Sequence, residues 1–163
     1  MDKIISTIYS LAYVANMKVY IATSGYRLPS GLIVKEICCL FPNDEYNHYI
    51  LKPPTNWDLS DVDKRTIRYA IKNLNSLSYH DGDIPYENIE TIFTRYQEYQ
   101  VYTYSRVTFK LLQNILPTTI IVNVQSLGYQ MPSELPNPMC CRAHNTRYCA
   151  KAKSIAIKTF MES

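Results

Sequence analysis

The stretch CCRAHNTRYCA, residues 140 to 150, carries four side chains that can bind a soft metal ion, and the first of them, Cys140, stands outside the pattern that the other three form. Cys141, His144 and Cys149 stand in it in a C-x2-H-x4-C order. Thiolates and imidazoles are the ligands that zinc prefers in proteins, so the spacing favours a zinc site. Two alternatives stay open: the remnant of a nuclease active centre, and three unligated residues, since free cysteines often pack as small apolar groups.

Length and charge describe a single domain over residues 1–163. With 163 residues, 47% of them hydrophobic, the chain can bury one ordinary core. A formal net charge of +3 excludes a protein that coats nucleic acid by electrostatics alone, so any basic surface must be local. The 15 tyrosines suit a packed core, a protein interface or a surface on which bases stack.

The hydropathy pattern predicts neither a signal peptide nor a membrane span. Polar residues interrupt the apolar stretch 1–17, and no small-residue cleavage pattern follows it. No window approaches the roughly 18 apolar residues that a membrane helix needs. An odd count of five cysteines, with vicinal pairs at 38–39 and 140–141, favours reduced thiols over a disulfide framework. We therefore expect an intracellular protein of the cytoplasm or nucleus.

Three antiparallel strands are predicted in the first third of the chain. Segments 18–24 and 31–41 are rich in β-branched and aromatic residues, and the glycines and proline between them indicate a turn. Segment 47–52 extends this hairpin until Pro53 and Pro54 end it. Because strand side chains alternate, the side chains at 36 and 38 share one face and Cys39 points to the other.

Helical periodicity follows the two prolines. Apolar residues recur at helical spacing in four segments: 59–75, 80–96, 105–116 and 147–161. Ser60 or Asp61 is the expected cap of the first of these helices, and Ser105 is the expected cap of the third. The last helix is predicted to present its lysines opposite an apolar face. Segment 101–104 is a short strand, and 118–124, which lacks polar alternation, is expected to be a central strand covered on both faces.

This order of elements predicts an α/β fold of the ribonuclease H-like kind. Its five-stranded mixed sheet has three antiparallel strands, then alternating β-α units, with helices on both faces. Three motifs resemble those of the ribonuclease H-like exonucleases with four acids and a histidine: I-V-K-E-I at 33–37, H-x-I-L-K-P-P at 48–54 and H-x4-C-A at 144–150.

The acids that this exonuclease family uses are missing here. In the family, four carboxylates hold two divalent cations that stabilise the attacking and leaving oxygens. Aligned on the motifs to within one residue, Ala22 and Ser24 take the place of the first acid pair. Thr108 and Cys149 take the places of the other two acids. None of these binds a hard cation as a carboxylate does, so two-metal exonuclease activity is not expected.

The replacements are similar to those of the Maelstrom domain, a ribonuclease H-like domain of the piRNA pathway with a Glu-Cys-His-Cys set. The resemblance covers residues 17–161 in segment order and implies four zinc ligands: Glu36, Cys141, His144 and Cys149. His48 matches one further histidine of that family, whose second histidine has no counterpart here. Four protein ligands leave no position for water, so this zinc would be structural and would tie the second strand to the last helix.

The expected function is a catalytically degenerate exonuclease-fold domain that binds single-stranded RNA or scaffolds protein partners. The resemblance implies a role in small-RNA silencing or in a host–virus or transposon setting. A metal-independent single-strand endoribonuclease and a structural self-assembly protein are the alternatives. The candidate RNA surface combines tyrosines with five basic residues: Lys35, Lys52, Arg65, Arg68 and Lys72.

Overall fold

A mixed five-stranded sheet forms the centre of the computed structural model, which describes residues 17–75, 77–133, 135 and 149–163. Its strands are β1 (Lys18–Leu28), β2 (Gly31–Leu40), β3 (Tyr46–Ile50), β4 (Gln100–Thr103) and β5 (Ile121–Asn123). They lie in the order β3-β2-β1-β4-β5. The first three strands pair antiparallel, whereas β4 runs parallel to β1 and β5 parallel to β4. The predicted α/β class and mixed five-stranded sheet are therefore confirmed.

Within the described residues, four α-helices accompany the sheet: α1 (Asp61–Ala70), α2 (Ile89–Thr94), α3 (Arg106–Ile115) and α4 (Ala150–Glu162). A π-helical turn, Ile71–Asn75, extends α1, and single 3-10 turns cover Tyr86–Asn88 and Val124–Leu127. Of the two candidate caps of α1, Ser60 occupies the N-cap position, and Ser105 caps α3 as predicted. The Ser60 hydroxyl accepts a hydrogen bond from the Asp63 N–H at 3.1 Å, and Ser105 accepts one from the Thr108 N–H at 3.3 Å.

Alternation along β1 and β2 distributes the core over both faces of the sheet. Val19 and Ile21 belong to the core that α2 and α3 cover, whereas Tyr20 and Ala22 belong to the core beneath α4. In β2, Cys39 lies in the first core and Cys38 in the second. The predicted opposition of Cys38 and Cys39 is therefore confirmed.

A β-bulge interrupts this alternation near the middle of β2. Ser24 pairs with Glu36 and the next residue, Gly25, pairs with Val34, so Lys35 is one residue in excess on β2. The two strands approach closely here. A Cβ added at Gly25 would overlap the backbone of Ile33, which explains why a residue without a side chain occupies this position.

The position of β5 contradicts the sequence-based expectation. Among the described residues β5 pairs only with β4, so it is an edge strand, and all three of its residues are partly exposed. Ile121 packs against the core on the α3 side, whereas the preceding Ile120 is exposed. The apolar run 118–124 therefore reflects β propensity and one covered face, not burial on both faces.

The last helix is also buried more broadly than its sequence pattern indicated. Ala150 and Ile157 pack against the sheet, while Ala152 and Ala156 pack with Leu135. The prediction that all its lysines lie opposite the apolar face is wrong, because the Lys153 ammonium reaches β1 and donates to the Thr23 carbonyl at 3.2 Å. Covering α4 from two sides leaves little of its circumference for solvent.

Candidate functional site

The carboxylate of Glu36 is the centre of the candidate site. Glu36 is 0% exposed, and its Oε1 accepts a hydrogen bond from the backbone N–H of Ala150, the first residue of α4. His48 on the neighbouring strand β3 places its Nε2 3.3 Å from the same oxygen. A carboxylate at a helix N-terminus is stabilised by the helix dipole. Glu36 thus joins β2, β3 and the start of α4.

Cys149 lies directly beside this carboxylate. It is fully buried and caps α4, and the N–H that Glu36 accepts belongs to the peptide between Cys149 and Ala150. The structure therefore brings together Glu36 and Cys149, two of the four predicted zinc ligands. The other two, Cys141 and His144, lie outside the described residues. Within the part of the chain that is described, no three His, Cys, Asp or Glu side chains form a group that could hold a metal ion.

The neighbouring thiol of Cys38 has the properties of a packing residue. Burial raises the pKa of the Cys38 thiol to about 12, against the opposing effect of a hydrogen bond with Ser154. Burial likewise raises the pKa of Cys39 on the other face of the sheet. Thiols in this state are protonated near neutral pH, and thiolate is the form that binds metal or attacks an electrophile. The Cys38 side chain packs with Tyr20 and Leu40 in the core beneath α4.

Three of the four residues aligned with the exonuclease acids line a cavity of about 400 Å³, whereas the fourth, Cys149, is not among its lining residues. Ala22, Ser24 and Thr108 all line it. The hydroxyls of Thr23 and Thr108 lie 3.0 Å apart, which joins β1 to the first turn of α3. Among the described lining residues there is no carboxylate. The side chains that two-metal chemistry requires are thus absent from the described wall.

Lys153 from α4 is the residue of this cavity that sequence reasoning missed. It is partly buried, burial lowers its pKa, and the nearby Glu36 and Cys149 oppose that shift. Lys153 follows Cys149 by four residues, the spacing that places two helical side chains on one face. That spacing was the available signal, because it puts a cation one turn from a predicted metal ligand.

The predicted basic face is only partly present. Lys52, Arg65, Arg68 and Lys72 are exposed. Lys35 is 1% exposed, and its ammonium donates to the carbonyl oxygens of Leu51 at 2.8 Å, Tyr79 at 3.0 Å and Asp81. Burial lowers its pKa to about 8. Including Lys35 in an RNA surface was therefore wrong, because the bulge carries it into the interior.

Comparison with protein-family models, curated proteins and solved structures found no match for this chain. Across the described residues, no helix has both the length and the apolar character required to cross a membrane.

Proposed function

We propose that this chain is a Maelstrom-like domain of the ribonuclease H-like superfamily that binds single-stranded RNA and lacks two-metal exonuclease activity. In this proposal a structural zinc site replaces the catalytic metal pair. The observation that carries it is the buried Glu36 carboxylate held against the start of α4 beside Cys149. The sheet supports the fold assignment, since three antiparallel strands precede two parallel strands, each reached through helical segments.

The donor set beside α4 fits zinc. Glu36, Cys141, His144 and Cys149 would hold the ion, and two thiolates, an imidazole and a carboxylate form a closed tetrahedral set. His48 would support Glu36, because metal-binding carboxylates are themselves commonly hydrogen-bonded. When bound, zinc would supply a cross-link between β2 and the start of α4. This chain's own residues already align that junction through the hydrogen bond from Ala150.

Metal analysis tests the zinc site. We expect about one zinc per chain in the purified protein and loss of most of it in Cys149→Ser and Glu36→Gln, because each removes a ligand of a four-ligand site. Inductively coupled plasma mass spectrometry measures the content. Cys39→Ala is the matched control, since this cysteine is equally buried but faces the other core. Equal zinc in all four proteins would contradict the proposed site.

The exposed face of α1 supports RNA binding. Arg65 and Arg68 are exposed there, and the Tyr69 ring beside them is 61% exposed. Cations that contact phosphates next to an aromatic ring on which a base can stack are typical of proteins that bind single strands with little sequence preference. This surface adjoins the acid-free cavity, because Tyr69 also lines it.

A binding experiment with labelled single-stranded RNA separates the function classes when the buffer contains neither magnesium nor a chelator, so that the proposed zinc stays bound. We expect a salt-sensitive mobility shift without cleavage. Replacing Arg65 and Arg68 by alanine should weaken it for all sequences and lower the salt slope by about 1 for each phosphate that the variant no longer neutralises. Lys110→Ala, which removes an exposed cation from α3, is the control. Cleavage would favour the endoribonuclease instead, and neither shift nor cleavage would favour the self-assembly protein.

A further inference from the structure

The cavity beside β1 has the dimensions of a small-molecule site. Its volume of about 400 Å³ falls within the roughly 300–1,000 Å³ that ligand pockets span. Its wall is formed by β1 from Ala22 to Arg27, by α1, by the first turn of α3 and by α4. Leu32 of β2 also lines the cavity, so five elements converge on it.

Among the described residues, the charged side chains that line the cavity are positive. Arg27 and Lys153 line the cavity, and no Asp or Glu is among the described residues that do so. The nearby Glu36 carboxylate interacts with the Lys153 ammonium and opposes the effect of burial on its pKa. The Oε1 of Glu36 also accepts from the Ala150 N–H and lies beside His48. Lys153 is anchored by its hydrogen bond to the Thr23 carbonyl, which fixes the position of its ammonium at the wall. The wall therefore favours an anionic ligand.

Hydroxyl groups and a helix N-terminus lie on the same wall. The Ser105 hydroxyl lies 3.1 Å from that of Thr108, which in turn lies 3.0 Å from that of Thr23. Ser105 caps the ten-residue helix α3, whose N-terminus carries a partial positive charge. Ser24 is 7% exposed, and its buried Oγ has no hydrogen-bond partner within the described structure. Such donors commonly bind phosphate oxygens.

The aromatic residues of the wall indicate what the anion is attached to. Tyr26, Tyr69 and Tyr104 line the cavity. Tyr26 is buried and donates its hydroxyl to the Leu77 carbonyl at 2.6 Å, so it supports the floor, whereas Tyr69 is exposed and partly exposed Tyr104 stacks edge-on against Tyr129. Exposed tyrosine rings bind nucleobases by stacking, because every base has a π-face. A phosphate group on a nucleoside satisfies both features.

We propose that this cavity binds a nucleotide, with its phosphate against Lys153, Ser24 and the N-terminus of α3 and its base against Tyr69 or Tyr104. The inference deepens the proposed RNA binding and rests on it for the source of the ligand. Two sources share this chemistry: a free mononucleotide, and the terminal nucleotide of a single strand.

Calorimetric titration of the whole protein with adenosine 5′-monophosphate, inorganic phosphate and adenosine tests the site. We expect the monophosphate to bind more tightly than either fragment. Lys153→Met should lower the affinity for the monophosphate about ten-fold, because a charge-assisted hydrogen bond is lost. Lys151→Met is the control, since Lys151 lies on the same helix over the Tyr46 ring, 4.5 Å from its centroid, and does not line the cavity.

A second variant keeps the test valid if Lys153→Met does not fold. Ser24→Ala removes only a hydroxyl group. It should lower the affinity for the monophosphate several-fold while the circular dichroism spectrum stays unchanged. Unchanged affinity in a folded Lys153→Met or Ser24→Ala protein overturns the inference, and so does absence of binding to both the monophosphate and strand ends. Equal affinity for adenosine and its monophosphate overturns it as well.

Oligonucleotides with and without a terminal phosphate distinguish the two sources. If the monophosphate competes with oligonucleotides that carry a terminal phosphate, and not with those that lack one, the ligand is the end of a strand. Monophosphate binding without such competition supports a free nucleotide. RNA binding that neither competes with the monophosphate nor changes in Lys153→Met overturns this inference and leaves the proposed function intact. Monophosphate binding without any RNA shift supports the cavity and contradicts the proposed function.

Discussion

Two adjacent residues of β2, Lys35 and Glu36, bury opposite charges by different means. Lys35 donates to three backbone carbonyls, whereas the Glu36 carboxylate accepts from the start of α4 and lies beside His48. Burying a charge costs several kcal/mol unless hydrogen bonds or counter-charges offset it. The β-bulge lets both charges reach partners, because Lys35 is the extra residue of β2 between the pairs Ser24–Glu36 and Gly25–Val34.

Lys35 should make stability rise with pH between about 8 and 10. Its pKa is about 8 in the folded protein and 10.5 ordinarily. At Lys35 the unfolded chain holds more protons over that window, so this residue contributes a rise of the free energy of unfolding with pH, by at most about 3 kcal/mol. The buried thiols of Cys38 and Cys39, whose pKa values are raised, contribute a fall above about pH 9. Urea unfolding at several pH values measures this slope. Lys35→Met should have a lower slope than the wild type, because it lacks this contribution, whereas Lys52→Met, at an exposed position, should keep the wild-type slope. Equal slopes in all three proteins would contradict the assignment.

Single residues also show which features the sequence could predict and which depend on tertiary contacts. The opposition of Cys38 and Cys39 could be predicted, because alternation is a local property of strands. The burial of Lys35 could not, since it depends on a bulge and on carbonyls from residues 51, 79 and 81. Lys153 could be placed one turn beyond Cys149, but its contact with β1 depends on how α4 packs.

At the scale of elements, local signals predicted the helices and tertiary pairing decided the strands. Ser105 caps its helix as expected, and Ser60 is the cap among the two candidates for α1, because a cap needs only backbone groups within three residues. The edge position of β5 depends on which strands pair with β4. No pattern within residues 118–124 contains that information, so propensity alone suggested a central strand.

The β1–β2 hairpin should be sensitive to a methyl group at Gly25. We expect Gly25→Ala to lower the free energy of unfolding by about 2–3 kcal/mol, because its Cβ would overlap the Ile33 carbonyl in the tightest part of the hairpin. Gly128→Ala is the comparison: Gly128 has a φ of +90° but open space around it, so only backbone strain of about 1 kcal/mol applies. Chemical denaturation measures both. A smaller loss for Gly25→Ala than for Gly128→Ala would contradict this account.

For the whole molecule, the proposed zinc site determines how firmly α4 is attached to the sheet. Chelation should speed amide exchange at Ala150 and in β2 around Glu36, because the cross-link is lost. The core around Phe93 and Leu112, on the other face, should keep its protection. Hydrogen exchange with mass spectrometry measures this.

Cys149→Ser provides the control for that experiment. This variant should already exchange faster at α4 and should not respond further to chelator, because the proposed site has lost a ligand. A zinc cross-link at this junction would be contradicted if the chelator accelerated amide exchange equally in both cores, or if it did not accelerate exchange at α4.

The hydrogen bond between Ala150 and Glu36 joins residues 114 positions apart, and this separation bears on synthesis in the cell. The hairpin of β1 and β2 leaves the ribosome long before α4 is translated. During that interval the carboxylate faces water, and the apolar surface of Cys38 and Leu40, which α4 later covers, stays open. Non-local closure of this kind is slow and exposes nascent chains to aggregation. Chaperone dependence during translation is the expected cellular consequence.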